Sequence, residues 1–136
     1  SDGTISAASS SRRYKQDITS ELDSYFDPKG IYNLPVCQAR YRKEYGGGDD
    51  SPLYITFIAE DVAKYFPAAA RWNKDHTEVD TWEMSDMFPA VVKLIQDQHT
   101  EIEDLKTRLE KLEMQMEEFI NGSGNRKSDN AYPTRS

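Results

Sequence analysis

One cysteine, two histidines and no apolar stretch approaching a membrane span narrow the chemistry of this 136-residue chain before any motif is read. Cys37 alone cannot form an intrachain disulfide and leaves no cysteine-based zinc site, so it reads as a small packed hydrophobe. His76 and His99 are too far apart in sequence for metal-ligand spacing, so neither a metal nor a cofactor is expected. A membrane helix needs roughly 18 or more apolar residues in a row, and nothing here comes near it. Ser1 to Ser9 is small and polar, without the apolar stretch of a signal peptide. Positive charge is also short. Seventeen Lys and Arg face 24 Asp and Glu, a net charge of -7, which excludes the basic footprint of a nucleic-acid or anionic-membrane binder. Hydrophobic residues make up 37% against 30% charged, so one small core is expected, with help from an oligomeric partner.

What is present divides into four zones. Residues 1–11 carry no periodicity and read as the last strand of an upstream domain or a flexible lead, with 1–9 the end of an upstream segment, the chain as a whole looking like a piece of something longer. Up to about residue 82 the chain holds nearly all the aromatics and should be the compact part. There, Ile18, Leu22, Tyr25 and Phe26 recur at helical spacing and predict a short helix over 18–26, stopped by Asp27-Pro28-Lys29-Gly30. Val36 to Tyr45 alternates and predicts a half-buried strand with Cys37, Ala39 and Tyr41 on its inner face. After the Gly46-Gly47-Gly48 loop, Tyr54 to Ile58 predicts a second strand and Ala59 to Tyr65 a helix ended by Pro67. Ala69 to Asn73 and Thr77 to Thr81 predict a hairpin. Trp72, Trp82, Tyr32 and Tyr41 are expected in the core rather than on a sugar-binding platform.

Residues 83–120 form one long helical pattern, starting near Ser85 or Asp86 and ending at Gly122, with 121–136 expected to be disordered. With a at Phe88, Ile95, Ile102, Leu109 and Met116 and d at Val91, Gln98, Leu105, Leu112 and Phe119, every core position but Gln98 is apolar. A repeat sustained that long is a coiled-coil seam. Gln98 either sets register or marks the junction with the compact part. The g-to-e′ pairs Glu101 with Lys106 and Arg108 with Glu113 are of opposite sign. Ile at a with Leu at d leans toward two strands, whereas Arg108-Leu109-Glu110-Lys111-Leu112-Glu113 resembles the motif of trimeric coiled coils, which favours three. The predicted fold class is α+β: a small mixed helix and strand part followed by a long C-terminal helix in a trimeric coiled coil. The interface would hold Ile95, Ile102, Leu105, Arg108, Leu109, Leu112, Glu113 and Met116.

The chemistry concentrates at Ser9-Ser10-Ser11-Arg12-Arg13-Tyr14-Lys15-Gln16-Asp17-Ile18. By composition alone a serine run before basic residues is a solvated linker. In order, however, three features resemble the intramolecular chaperone autoprocessing domain found at the C-terminus of phage tail spikes and fibres, first known from endosialidases. The opening motif S-(D/S)-x-R-x-K-x-x-I is met from Ser10 to Ile18. Thr56-Phe57-Ile58-Ala59-Glu60-Asp61-Val62, closed by Phe66-Pro67, fits the family's G-F-I-A-x-(E/D)-V core, with Thr56 in place of glycine. The long helix is the third.

The resemblance covers residues 10 to about 120 and implies a self-cleaving peptidase domain that acts as a trimerisation chaperone. It would hold three copies of an upstream fibre or spike segment in register, then cut itself away, in the host cytoplasm during virion assembly. Its partners would be two further copies of itself and that upstream segment, as folding client and substrate. The motif places Ser10 as nucleophile and Lys15 as base, with cleavage between Ser9 and Ser10. A serine hydroxyl needs a base, and no histidine lies near, which leaves the Ser–Lys variation on triad logic. An amine ordinarily near 10.4 is protonated at neutral pH, so a lysine base must be desolvated or set beside other cations. Arg12 and Arg13 supply charge, and trimer packing would supply burial. Arg13 is read as an orienting or tuning group, or alternatively as a structural ion-pair former. Ser9 and Ser11 are neighbouring candidates without the five-residue offset to Lys15. Glu60 reads as a solvated acid at a helix start rather than a partner of Lys15 or Arg13. Two other functions fit the same residues: a structural trimerisation module that never cuts, and a receptor- or glycan-binding fibre tip.

Overall fold

The chain was analysed as a computed structural model, which describes the backbone of residues 9–129 and the side chains of 9–123. It divides into two compact units, one reaching Ala90 and one beginning at Val91. The expectations for residues 1–8 and 130–136 lie outside the described residues.

The first unit is mixed helix and strand. Strand β1 (Cys37–Ala39) pairs antiparallel with β2 (Tyr54–Thr56), Cys37 opposite Thr56 and Ala39 opposite Tyr54. Strand β3 (Ala70–Trp72) pairs antiparallel with β4 (Val79–Trp82), with a register irregularity between Arg71 and Trp72. Helix α1 (Ala59–Tyr65) packs against this second hairpin. The core is small: Leu34, Val62, Phe66, Ala68, Ala69, Ala70, Met87 and Ala90 are buried. Phe66 and Val62 are its largest fully enclosed side chains. Four of these eight are alanines, three of them consecutive at 68–70.

The predicted hairpin over 69–81 is present, and one side chain builds its turn. Asn73 Oδ1 accepts from the backbone N–H of Thr77 at 2.8 Å and of Glu78 at 3.2 Å, while its Nδ2 donates to Thr77 Oγ1 at 2.8 Å. His76 takes φ +60° in that turn and sets its ring 5.3 Å from that of Trp72. His76 is thus a turn residue.

The predicted helix over 18–26 is absent. That stretch is bent and irregular, with one 3-10 turn at Ser24–Phe26. Thr19 Oγ1 accepts from Glu21 N at 3.0 Å and Asp23 Oδ1 from Tyr25 N at 2.9 Å, so local side chains take the amides a helix would have used. Asp27 does the same to Lys29 N at 3.0 Å and opens the 3-10 helix Pro28–Asn33. Inside it, a Cβ on Gly30 would lie 1.8 Å from the carbonyl oxygen of Tyr65, the last residue of α1, so only glycine fits.

The strand predicted from Val36 to Tyr45 is cut to three residues, although Cys37 and Ala39 do face inward and Gln38 outward. A 3-10 turn at Lys43–Tyr45 replaces its far half. The glycines explain this. Gly46 stands at φ +85°, and Gly47 and Gly48 donate to the carbonyls of Arg42 and Tyr41, both at 3.0 Å, removing those groups from any ladder. The loop closes when Arg40 Nε donates to Ser51 O at 2.6 Å. The second predicted strand is shorter too, because Ile58 already serves as the N-cap position of α1.

The aromatics are a further correction. Trp72, Tyr32 and Tyr41 are exposed, not core residues. They pair near the surface instead: Tyr41 stacks on Tyr54 at 5.2 Å, and Phe57 meets the half-buried Trp82 edge-on at 5.1 Å. Desolvation, then the charge and hydrogen bond of Tyr41, push the Tyr54 phenol above its ordinary value.

Helix α2 (Met84–Asp129) begins one or two residues before the predicted start near Ser85 or Asp86. Glu83 O accepts from Asp86 N and Met87 N, while Glu83 N donates to Ala69 O at 2.8 Å, so β4 feeds directly into the helix. Asp86 is then a first-turn acid, ion-paired with Arg71, whose Nη1 also donates to Ala68 O and Ala70 O at 3.1 Å each. Gly122 does not end the helix. The helix runs on to Asp129, through residues expected to be disordered, and the two interior glycines, Gly122 and Gly124, cost it about 1 kcal/mol each. No helix among the described residues is long and apolar enough to cross a membrane.

Candidate functional site

The Ser10–Lys15 segment is organised around one turn. Arg12–Tyr14 forms a single 3-10 turn with Ser11 as its N-cap and Lys15 as its C-cap. Tyr14 N donates to Ser11 O at 3.0 Å and Lys15 N to Arg12 O at 3.1 Å. Ser11 Oγ accepts from Arg13 N at 3.4 Å. Ser10 and Lys15 therefore flank the turn, one immediately before its cap and one closing it. Two residues on, Asp17 sits at φ +56°, a left-handed conformation that aspartate tolerates, and turns the chain toward Ile18.

All of these side chains are exposed from Ser10 through Asp17, and Ser9 is half-buried. No hydrogen bond joins the Ser10 hydroxyl to the Lys15 amine among the described residues. The Arg13 guanidinium lies over the Tyr14 ring, 4.6 Å from its centroid, rather than in an ion pair. Glu60 stands with Asp61 in the first turn of α1 and makes no ion pair with Lys15 or Arg13 among the described residues. Three cations, Arg12, Arg13 and Lys15, lie within one turn of chain, with only Asp17 nearby in sequence to offset them. The local backbone is thus set by the turn, but the single chain gives the amine no burial.

The second unit carries the seam residues. Along α2, Ile95, Ile102, Leu105, Leu109, Leu112 and Met116 are each 50% to 58% exposed, and Phe119 is 76% exposed. Arg108 and Glu113 are exposed beside them. On the single helix Lys106 reaches back to Glu103 at 3.4 Å, and Lys93 pairs with Asp97 at 3.0 Å. Both contacts are within one turn of helix and exposed, worth a few tenths of a kcal/mol each, so an interchain partner can displace them.

Reading the sequence missed the cap made by Ser11. Its signal was available: Thr19, Asp23 and Asp27 each accept from the amide two residues on, as Ser11 does. The Arg71–Asp86 pair left no signal, because its partners are brought together only by the bulged hairpin. No cluster of three or more His, Cys, Asp or Glu suited to a metal occurs among the described residues. Cys37 is half-buried in β1, its Sγ near Pro35 O. No protein-family model matches the chain, and no curated protein is significantly similar to it.

Proposed function

We propose that this chain is a self-releasing trimerisation chaperone: three copies associate through α2, hold an upstream fibre or spike segment in register while it folds, and then cut between Ser9 and Ser10. The observation that carries the reading is the uncovered apolar stripe of α2. A seam of Ile, Leu and Met, half exposed over several turns and flanked by charges of matching opposite sign, is stable in water only when another helix covers it. Copies of the same chain are the partner those charges fit. The further exposed apolar side chains of the first unit, Val36, Leu53 and Ile55 among them, fit the same reading of a protomer built to be covered.

The role as chaperone follows from the physics of wound β-structure. Long-range pairing must meet loop-closure entropy before its contacts form, and a trimer raises the effective concentration of three strands. Once the nucleating element leaves, the folded product is held kinetically.

The cleavage balances as follows. A neutral Lys15 amine takes the Ser10 hydroxyl proton as Oγ attacks the carbonyl carbon of Ser9. The tetrahedral intermediate collapses with loss of the Ser9–Ser10 C–N bond, and the ammonium returns the proton to the leaving Ser10 nitrogen. The resulting ester between Ser9 and Ser10 Oγ is hydrolysed by one water, with the lysine again as base. Products are a Ser9 carboxylate and a fragment beginning at Ser10. Exposure of the amine in the single chain means that its desolvation must come with assembly, which makes cleavage a property of the trimer.

The same exposure favours a second reading, a trimerisation module that never cuts. Intact-mass measurement on the full chain over time, with sedimentation on the same sample, separates the two. Loss of residues 1–9 by a trimer, abolished in Ser10→Ala and in Lys15→Ala, supports the peptidase. A trimer that keeps its full mass at neutral pH supports the uncutting module, and a chain that remains monomeric overturns both.

A further inference from the structure

The turn at the candidate site gives Ser11, which lacks the offset to Lys15 expected of the nucleophile, a task of its own. We propose that Ser11 is a positioning residue for the self-cleavage of the preceding section, on which this inference rests: its hydroxyl holds the Arg12–Tyr14 turn that joins Ser10 to Lys15.

The argument begins with the turn's two ends. Ser11 closes the first and Lys15 the second, so any loosening at Ser11 changes the path between the Ser10 hydroxyl and the Lys15 amine. A three-residue 3-10 turn is short and its hydrogen bonds are poorly aligned, so it draws little stability from its own backbone. Two backbone bonds close it, and the Ser11 hydroxyl adds a third contact by accepting from Arg13 N. That contact matters more because the turn is exposed and packs no side chain into the core. The hydroxyl of Ser11 faces inward on its own turn, whereas no such bond occupies Ser10 among the described residues. The bond to Arg13 N also fixes the Arg13 backbone, from which the guanidinium is laid on the Tyr14 ring.

The chain repeats this device elsewhere. Asp23 caps Ser24–Phe26 by accepting from Tyr25 N at 2.9 Å, and Asp27 caps Pro28–Asn33 by accepting from Lys29 N at 3.0 Å. A short oxygen-bearing side chain accepting from the amide two residues on thus starts three of the five 3-10 elements among the described residues, while Lys43–Tyr45 and Pro67–Ala69 start without one. A residue that caps equally well should replace Ser11, and alanine should not.

The test uses the full chain, with cleavage followed by intact mass at fixed protomer concentration. Ser11→Ala is expected to slow release about fivefold, equal to ~1 kcal/mol at tenfold per 1.36 kcal/mol and in the range of a lost cap. Ser11→Asn, a strong neutral cap, restores the wild-type rate to within about twofold. The fragment begins at Ser10 in every variant, and the pH midpoint of the rate is unmoved, because the base is unchanged. Circular dichroism and sedimentation confirm that each variant keeps its fold and oligomeric state. Wild-type speed in Ser11→Ala overturns the proposal. So does complete loss that Ser11→Asn fails to restore, which would make the Ser11 hydroxyl a participant in the chemistry. If the wild-type chain never cleaves, it is the peptidase reading that fails, an outcome visible before any Ser11 variant is measured.

Discussion

Leu109→Ala tests the seam where it is least confounded by the rest of the fold. Leu109 lies in the second unit at an a position and is 56% exposed on the single chain. Fully burying a leucine is worth roughly 1.5–3 kcal/mol, and its own helix already covers a little under half of it, so association covers the remainder for about 1 kcal/mol per chain. In the proposed trimer three chains would lose it together, about 3 kcal/mol, or roughly 100- to 200-fold in the association constant. A monomer–trimer constant scales with the square of concentration, so the protomer concentration at half-assembly should rise roughly tenfold. Sedimentation equilibrium on Leu109→Ala combined with Ser10→Ala measures this without loss of the leader. In the Ser10 background, cleavage of Leu109→Ala should become concentration-dependent and track the trimer fraction. The reasoning is refuted if the midpoint does not move, or if dilution leaves chains monomeric yet cleaving at an undiminished first-order rate.

Two other perturbations probe the first unit. Gly30→Ala drives a methyl into the Tyr65 carbonyl, backbone against backbone with no flexible side chain to yield. It should lose about 1–3 kcal/mol, read as a lowered urea midpoint at fixed protomer concentration, and an unchanged midpoint would contradict the close approach. In carbon-13 NMR of labelled tyrosine, the Tyr54 phenol should titrate above its ordinary value of 10.0, and Tyr41→Phe should bring it partway back by removing the neighbouring phenol while leaving the desolvation. No movement in Tyr41→Phe would remove the stacked pair as a cause.

Periodicity carried far where an element follows its own repeat. Helix α2 was readable because its apolar positions recur along the helix, and α1 because Pro67 stops a short helical run. The hairpin of β3 and β4 was readable from Asn73-Lys74-Asp75, where one asparagine side chain builds the turn. The segment 18–26 misled because Ile18, Leu22, Tyr25 and Phe26 hold helical spacing while Thr19 and Asp23 claim the amides between them. Local hydrogen bonds outweighed periodicity there because the apolar face had no core in this chain to bury against: all four side chains remain about half exposed. The aromatics misled for a related reason. Aromatic content by itself does not say which residues a small core takes: Val62, Phe66 and the alanines 68–70 are buried, and Trp72 and Tyr41 stay outside.

The same physics separates what was legible of the site from what was not. A motif specifies residue types and offsets, so Ser10, Arg13 and Lys15 can be named from sequence. Local turn chemistry then fixes how the backbone runs between them, and that belongs to a single chain because its bonds span only a few residues. Desolvation of an amine does not. It requires low-dielectric surroundings on several sides, and here the motif lies on an exposed turn with no buried residue. A reactive amine that is solvated in the protomer and dry in the assembly would tie cutting to association without any separate regulator. Premature release by an unassembled chain would then be held back by the water around the amine, and the covering of surfaces this protomer leaves bare would be the event that lifts that restraint.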